Sequence, residues 1–211
     1  MTPTDTILPD AGPHTRRAAQ ILGSLGLALA IACGGGEEGA PAEGAAAGAQ
    51  AAPGAGSGNG EEAPRVRGAA EVLRENPCVF EARAMISEEL HKNQRYQDQL
   101  QLLESGTRRC PDTLEIQNDF AYVLATVPQD ELRDGKRALE IAKQVVAKHP
   151  EDPAYLDTLA AAYAETGAFD EAVKYSEQAI AQLEKLEAPD EMLAVFKAHR
   201  DSFAAGKPIR E

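Results

Sequence analysis

The chain has no tryptophan, five phenylalanines and five tyrosines among 211 residues, so aromatic side chains cannot dominate its core. It has only three cysteines and four histidines. Outside the first 32 residues the histidines are His91, His149 and His199, none paired with another histidine or a cysteine at metal-site spacing, so no metal site is expected. No glycine loop follows a strand pattern or carries a phosphate-binding lysine, and no serine or cysteine sits in a nucleophile context. The expectation is a protein that is not an enzyme and uses no cofactor. Basic residues are also short: 21 Lys and Arg against 34 Asp and Glu give a net charge of −13. Nucleic acid and anionic surfaces are recognised by basic patches, so neither is an expected partner.

Long apolar runs are missing too. The run of apolar or small residues at 21–32 has 12 residues, against about 20 needed to span a bilayer. It follows Arg16 and Arg17 and ends at Ala32, directly before Cys33, the layout of a signal peptide. Leu29-Ala30-Ile31-Ala32-Cys33 resembles the lipobox of bacterial lipoproteins, with Ala30 where that family most often has leucine. The resemblance implies cleavage after residue 32, a lipid on Cys33, and residence in the bacterial envelope, on the outer membrane facing the periplasm. Residues 33–64 contain no aromatic residue and no Val, Leu, Ile or Met. Such a segment cannot bury enough apolar surface to offset its ordering entropy, and it reads as a disordered Gly/Ala/Pro/Glu tether. Random-coil scaling gives it a reach of roughly 30 Å.

The remaining residues, with a domain expected over 65–206, carry helical periodicity throughout. In 153–186, Leu156, Leu159, Ala160 and Tyr163 share one helix face. After Gly167, residues Phe169, Ala172, Val173, Ser176, Ala179 and Ile180 repeat that pattern, and alanines stand where two helices would touch. This resembles the tetratricopeptide repeat, a helix–turn–helix unit of about 34 residues. Leu159, Ala160, Tyr163, Gly167, Ala172 and Ala179 fall on its signature positions, with Glu184 in place of the closing proline. Pro77 and Pro111 stand 34 residues apart and bracket an earlier unit, in which Ser87 and Gln99 replace small apolar residues. A middle unit spans 114–150, with its excess length in a polar turn at 127–135 that is expected to be exposed. Helices at 66–75 and 190–204 would cap the array. The fold expectation is therefore all-α: an antiparallel helix-turn-helix array of about three repeats with capping helices.

Cys78 and Cys110 would flank the first hairpin on one side. A structural disulfide and a pair of free thiols both fit, with export favouring the bond. The family resemblance implies a concave partner surface on the first helix of each unit. Carried over, it comprises Glu88 and His91, Asn118 and Tyr122, then Asp157, Ala161 and Glu165. Glu88 and Asp157 read as acidic rim residues, which implies a protein or peptide partner of basic character. The positions of the family's carboxylate clamp hold Ala84, Glu88, Asp119, Ala154 and Thr158, so carboxylate capture is not expected. Two functions fit: an envelope adaptor serving assembly of an envelope, secretion or pilus complex, and a self-associating spacer without a client.

Overall fold

A computed structural model describes residues 64–211, and the proposed signal peptide, Cys33 and tether lie outside the described residues. Eight α-helices follow one another: α1 (Pro64–Glu75), α2 (Phe80–Lys92), α3 (Tyr96–Arg109), α4 (Leu114–Thr126), α5 (Gly135–Lys148), α6 (Pro153–Glu165), α7 (Phe169–Lys185) and α8 (Asp190–Ala204). No strand occurs among the described residues. Each helix packs on the next, and α4 also packs along α6, with lighter contacts from α2 to α4 and from α6 to α8. The result is an all-α antiparallel array in which α2, α4, α6 and α8 form one row and α3, α5 and α7 another.

Helix α6 lies at the centre. Its sequence PAYLDTLAAAYAE is apolar nearly all round, which suits a helix with neighbours on every side. Every residue from 153 to 162 is buried. Asp152 caps it, accepting from the amides of Ala154 and Tyr155 at 3.0 and 3.2 Å, with Pro153 at the first helical position. Ala160, Ala172 and Ala179 are completely buried, as are Ala121 and Ala138. Methyl-sized contacts let the helix axes approach, and Phe120, Leu103 and Leu159 fill the space around them.

Pairs one and three close with the same backbone turn. After α6, the Ala168 amide donates to Tyr163 O and the Gly167 amide to Ala164 O, with Gly167 at φ 82°. After α2, the Arg95 amide donates to Leu90 O and the Gln94 amide to His91 O, with Gln94 at φ 56°. This is the Schellman arrangement, which satisfies carbonyls a helix end would leave orphaned.

Two details depart from expectation. The connection at 127–135 is exposed at 128–131 and at Asp134, as expected, but it is anchored rather than loose. Val127 is buried, a 3-10 turn spans Asp130–Leu132, and the Arg133 side chain is only 9% exposed. In pair one the polar residues at small-apolar positions answer each other. Gln99 Nε2 donates to Ser87 Oγ at 3.1 Å in the buried helix contact, and buried Arg83 donates to Leu102 O and Pro77 O at 2.6 and 2.8 Å. The pairing offsets part of the cost of burial, while Gln99 Oε1 and Arg83 Nε stay buried without a hydrogen-bond partner. Cys78 and Cys110 are joined in a disulfide, Cα to Cα 5.5 Å, across the open end of this pair.

Candidate functional site

On α4, Asn118 and Tyr122 are one helical turn apart, and Thr126 follows a turn later. Asp157, Ala161 and Glu165 repeat that spacing on α6, and Glu88 and His91 lie on α2. The row of first helices therefore presents these residues along one surface, and the structure brings most of them to a single place. That surface is covered. Helix α8 packs on α7 and α6, and residues 205–211 turn back over α4 and α6.

The turn has a specific cause. Gly206 is in the left-handed region at φ 68°, its amide donates to Phe203 O, and the Lys207 amide donates to Ser202 O. Pro208 then excludes helix for the residue before it, so the segment leaves extended. Ile209 packs against the main apolar cluster. Arg210 reaches Glu165 Oε2 at 2.7 Å, while Arg133 Nε donates to Glu165 Oε1 at 2.8 Å. The Glu211 amide donates to Thr126 O at 2.9 Å. Its carboxylate accepts from the Tyr122 hydroxyl at 2.5 Å and lies 3.3 Å from His199 Nε2.

His199 is the residue that sequence reasoning missed. It is buried on α8, with Nδ1 2.9 Å from Asp157 Oδ2. Burial opposes its charge, but the Asp157 carboxylate, reinforced by Glu211, outweighs burial and raises its pKa to about 10. The imidazolium then donates from both nitrogens. Burial pushes the Glu211 carboxyl up, and hydrogen bonds from His199 and Tyr122 carry it below the ordinary value. Loss of solvent, with Glu211 and Asp157 nearby, raises the Tyr122 phenol well above its usual value. Burial lowers the His91 pKa, against the Gln99 hydrogen bond and the Glu211 charge. Asp119 is pushed up to about 8 by desolvation, which the Asn118 hydrogen bond opposes and Glu115 assists.

The expected partner surface needs correction at three positions. Asp157 is 2% exposed and paired beneath α8, so it is no rim acid. Ala161 and Asn118 are buried as well, because α6 and α4 are covered where an open surface was expected. Glu88 stays at the surface, bonded to Lys92 within α2 at 2.6 Å. Glu88, His91, Tyr122 and Glu211 line a recess of about 40 Å³ between α2 and α4, far below the few hundred Å³ of a small-molecule site. A cleft of about 570 Å³ opens elsewhere, at the N-terminal ends of α4 and α6, lined by Glu115, Lys148, His149, Tyr155 and Leu186. None of Glu88, His91, Asn118, Tyr122, Asp157, Ala161 and Glu165 lines it. Among the described residues no group of three or more His, Cys, Asp or Glu is placed to hold a metal, and no helix is long and apolar enough to cross a membrane.

Residues 209–211 are thus held by an apolar contact at Ile209, by Glu165 at Arg210, and by Tyr122 and His199 at Glu211. Comparison with protein-family models, with curated proteins and with solved structures returns no match for this chain.

Proposed function

We propose that this chain is a lipid-anchored adaptor of the bacterial envelope, built on a tetratricopeptide-type array, that binds a segment of another envelope protein through its row of first helices. The observation that carries the reading is that this row already holds an extended segment by side-chain contacts at Glu165, Tyr122 and His199. Repeat arrays use such concave rows for partners rather than for chemistry. Glu165, which takes Arg210, favours a basic side chain in the partner, as does the net charge of −13. Cys33 is the proposed anchor, and the tether at 33–64 would let the array reorient above the outer membrane on its periplasmic side.

Affinity capture with the tagged full chain from detergent-solubilised envelopes tests this. One stoichiometric partner should be recovered by the wild type and by the Glu140→Lys, Lys174→Glu pair on the second helices, and clearly less by Glu165→Lys. Recovery of the chain's own copies alone would favour a self-associating spacer. Replacing Cys33 with serine should release the protein from membranes or leave its precursor uncleaved. A serine variant that fractionates as mature membrane protein would remove the anchor.

A further inference from the structure

The segment that fills the groove is held in an unusual way. Residues 207–211 have no regular secondary structure. Lys207 and Arg210 are exposed, and Pro208 and Ile209 only partly buried. Beyond the turn at Gly206, the one backbone hydrogen bond recorded from this segment to the body of the array is the Glu211 amide to Thr126 O. The rest is side-chain chemistry: Ile209 on the apolar cluster, Arg210 on Glu165, Glu211 on Tyr122 and His199.

The seats do not depend on the segment for their own construction. Arg133 holds one oxygen of Glu165 from the α4–α5 connection, leaving Oε2 for an incoming cation. Asp157 fixes His199 through Nδ1 beneath the surface, so Nε2 points outward as a donor beside the Tyr122 hydroxyl. An anionic slot and a cationic slot therefore stand ready on either side of the extended chain, each braced by a buried or half-buried partner. Preorganised seats of this kind recognise a ligand at little ordering cost.

We propose that residues 205–211 are a displaceable latch, and that the protein segment this groove takes is an extended run presenting an apolar side chain, then a cation, then a carboxylate, which binds by replacing Ile209, Arg210 and Glu211. This rests on reading the groove as a protein-binding surface, and it names the chemistry of the partner. A resident segment lowers apparent affinity by the fraction of molecules in which the groove is closed. Loosening the latch should therefore raise affinity without any new contact.

The test uses the full chain and a fluorescein-labelled heptapeptide copying residues 205–211, blocked at both ends. In fluorescence anisotropy the variant Ile209→Ala, Arg210→Ala, Glu211→Ala should bind this peptide at least tenfold more tightly than the wild type. Adding Glu165→Gln or Tyr122→Phe to that variant should undo most of the gain. A peptide with arginine and glutamate exchanged should bind weakly. Equal affinity for wild type and latch variant, or a gain that survives Glu165→Gln and Tyr122→Phe together, overturns the proposal. Should the latch variant lose its helical circular dichroism, the wild type serves instead. A nitroxide-labelled peptide at millimolar concentration should broaden the Thr126 and Glu165 amide resonances, and absence of broadening overturns the idea equally. Neither assay needs an envelope partner. Failed exchange with partner capture intact would remove the latch alone, whereas working exchange with no captured partner would remove the adaptor reading.

Discussion

His199 and Asp157 are 42 residues apart in sequence and 2.9 Å apart in space, and both are buried. Nothing local marks either. Asp157 sits in an otherwise apolar helix and His199 in a polar one, and only the packing of α8 on α6 makes them a pair. Burial penalises the His199 charge and Asp157 more than restores it, so its pKa goes from an ordinary 6.5 to about 10. A raised histidine pKa means that the folded state holds the proton more tightly. Its contribution is complete below about 6.5 and is lost as pH rises towards 10. The groups facing it are Asp157 and Glu211, and the Tyr122 hydroxyl shares the Glu211 carboxylate. Asp119, pushed up to about 8, also titrates in this window: its stabilising protonated form is lost as pH rises. Thermal unfolding at pH 6.5, 8 and 9.5 should therefore show falling stability. His199→Gln in an Asp119→Asn background should flatten the slope, and a slope unchanged in that double variant would show that the pair does not carry the proton.

At the scale of elements, helix positions were readable because alanine and leucine recur at helical spacing on α6 and α7. Gly167 marked the turn between them for a stereochemical reason, its positive φ. Where the same turn is closed by another residue, composition gives no such signal. Gln94 ends α2 at φ 56° and Glu187 ends α7 at φ 51°, both in the Schellman arrangement. An L side chain pays roughly 1 kcal/mol there that glycine does not. Glu187→Gly should consequently stabilise the chain by no more than about 0.5 kcal/mol in urea unfolding, because the added freedom of glycine in the unfolded state offsets about 0.4–1 kcal/mol. A loss of stability would mean that Glu187 is held by more than its backbone. The alanine contacts have the opposite sensitivity. Ala160→Leu or Ala172→Leu inserts bulk at fully buried sites and should cost about 1–3 kcal/mol, several degrees of melting temperature. Leucine at exposed Ala181 should be close to neutral. Comparable melting points for all three would mean that the core alanines have room to spare.

For the whole molecule, the antiparallel array was legible and its covered face was not. Periodicity identifies helices and their apolar sides, but residues 205–211 have no period, and their place depends on one glycine turn and three side chains. The same limit explains why Asp157 read as a rim residue, since helical spacing assigns a face without saying what lies on it. The array is also uneven from end to end. The α6–α8 region is closed by Phe196, Phe203 and Leu183, all fully buried, whereas the α2–α3 contact carries Arg83, Ser87 and Gln99 in its interior. Hydrogen-bonded polar groups in a helix contact stabilise less than the apolar packing they replace. Arrays of this kind gain stability largely from neighbour to neighbour, so a weak end can open by itself. The Cys78–Cys110 bond lies at that weak end and joins residues 32 apart in sequence. On the chain-entropy model such a bond contributes roughly 3–4 kcal/mol. Reduction, or Cys78→Ser with Cys110→Ser, should therefore open the first pair while α4–α8 stay folded. Hydrogen exchange followed by mass spectrometry should then show the amides of α1–α3 exchanging much faster and those of α6 unchanged. Uniform acceleration along the whole chain would instead mean that the array unfolds as one cooperative unit and that the bond supports all of it.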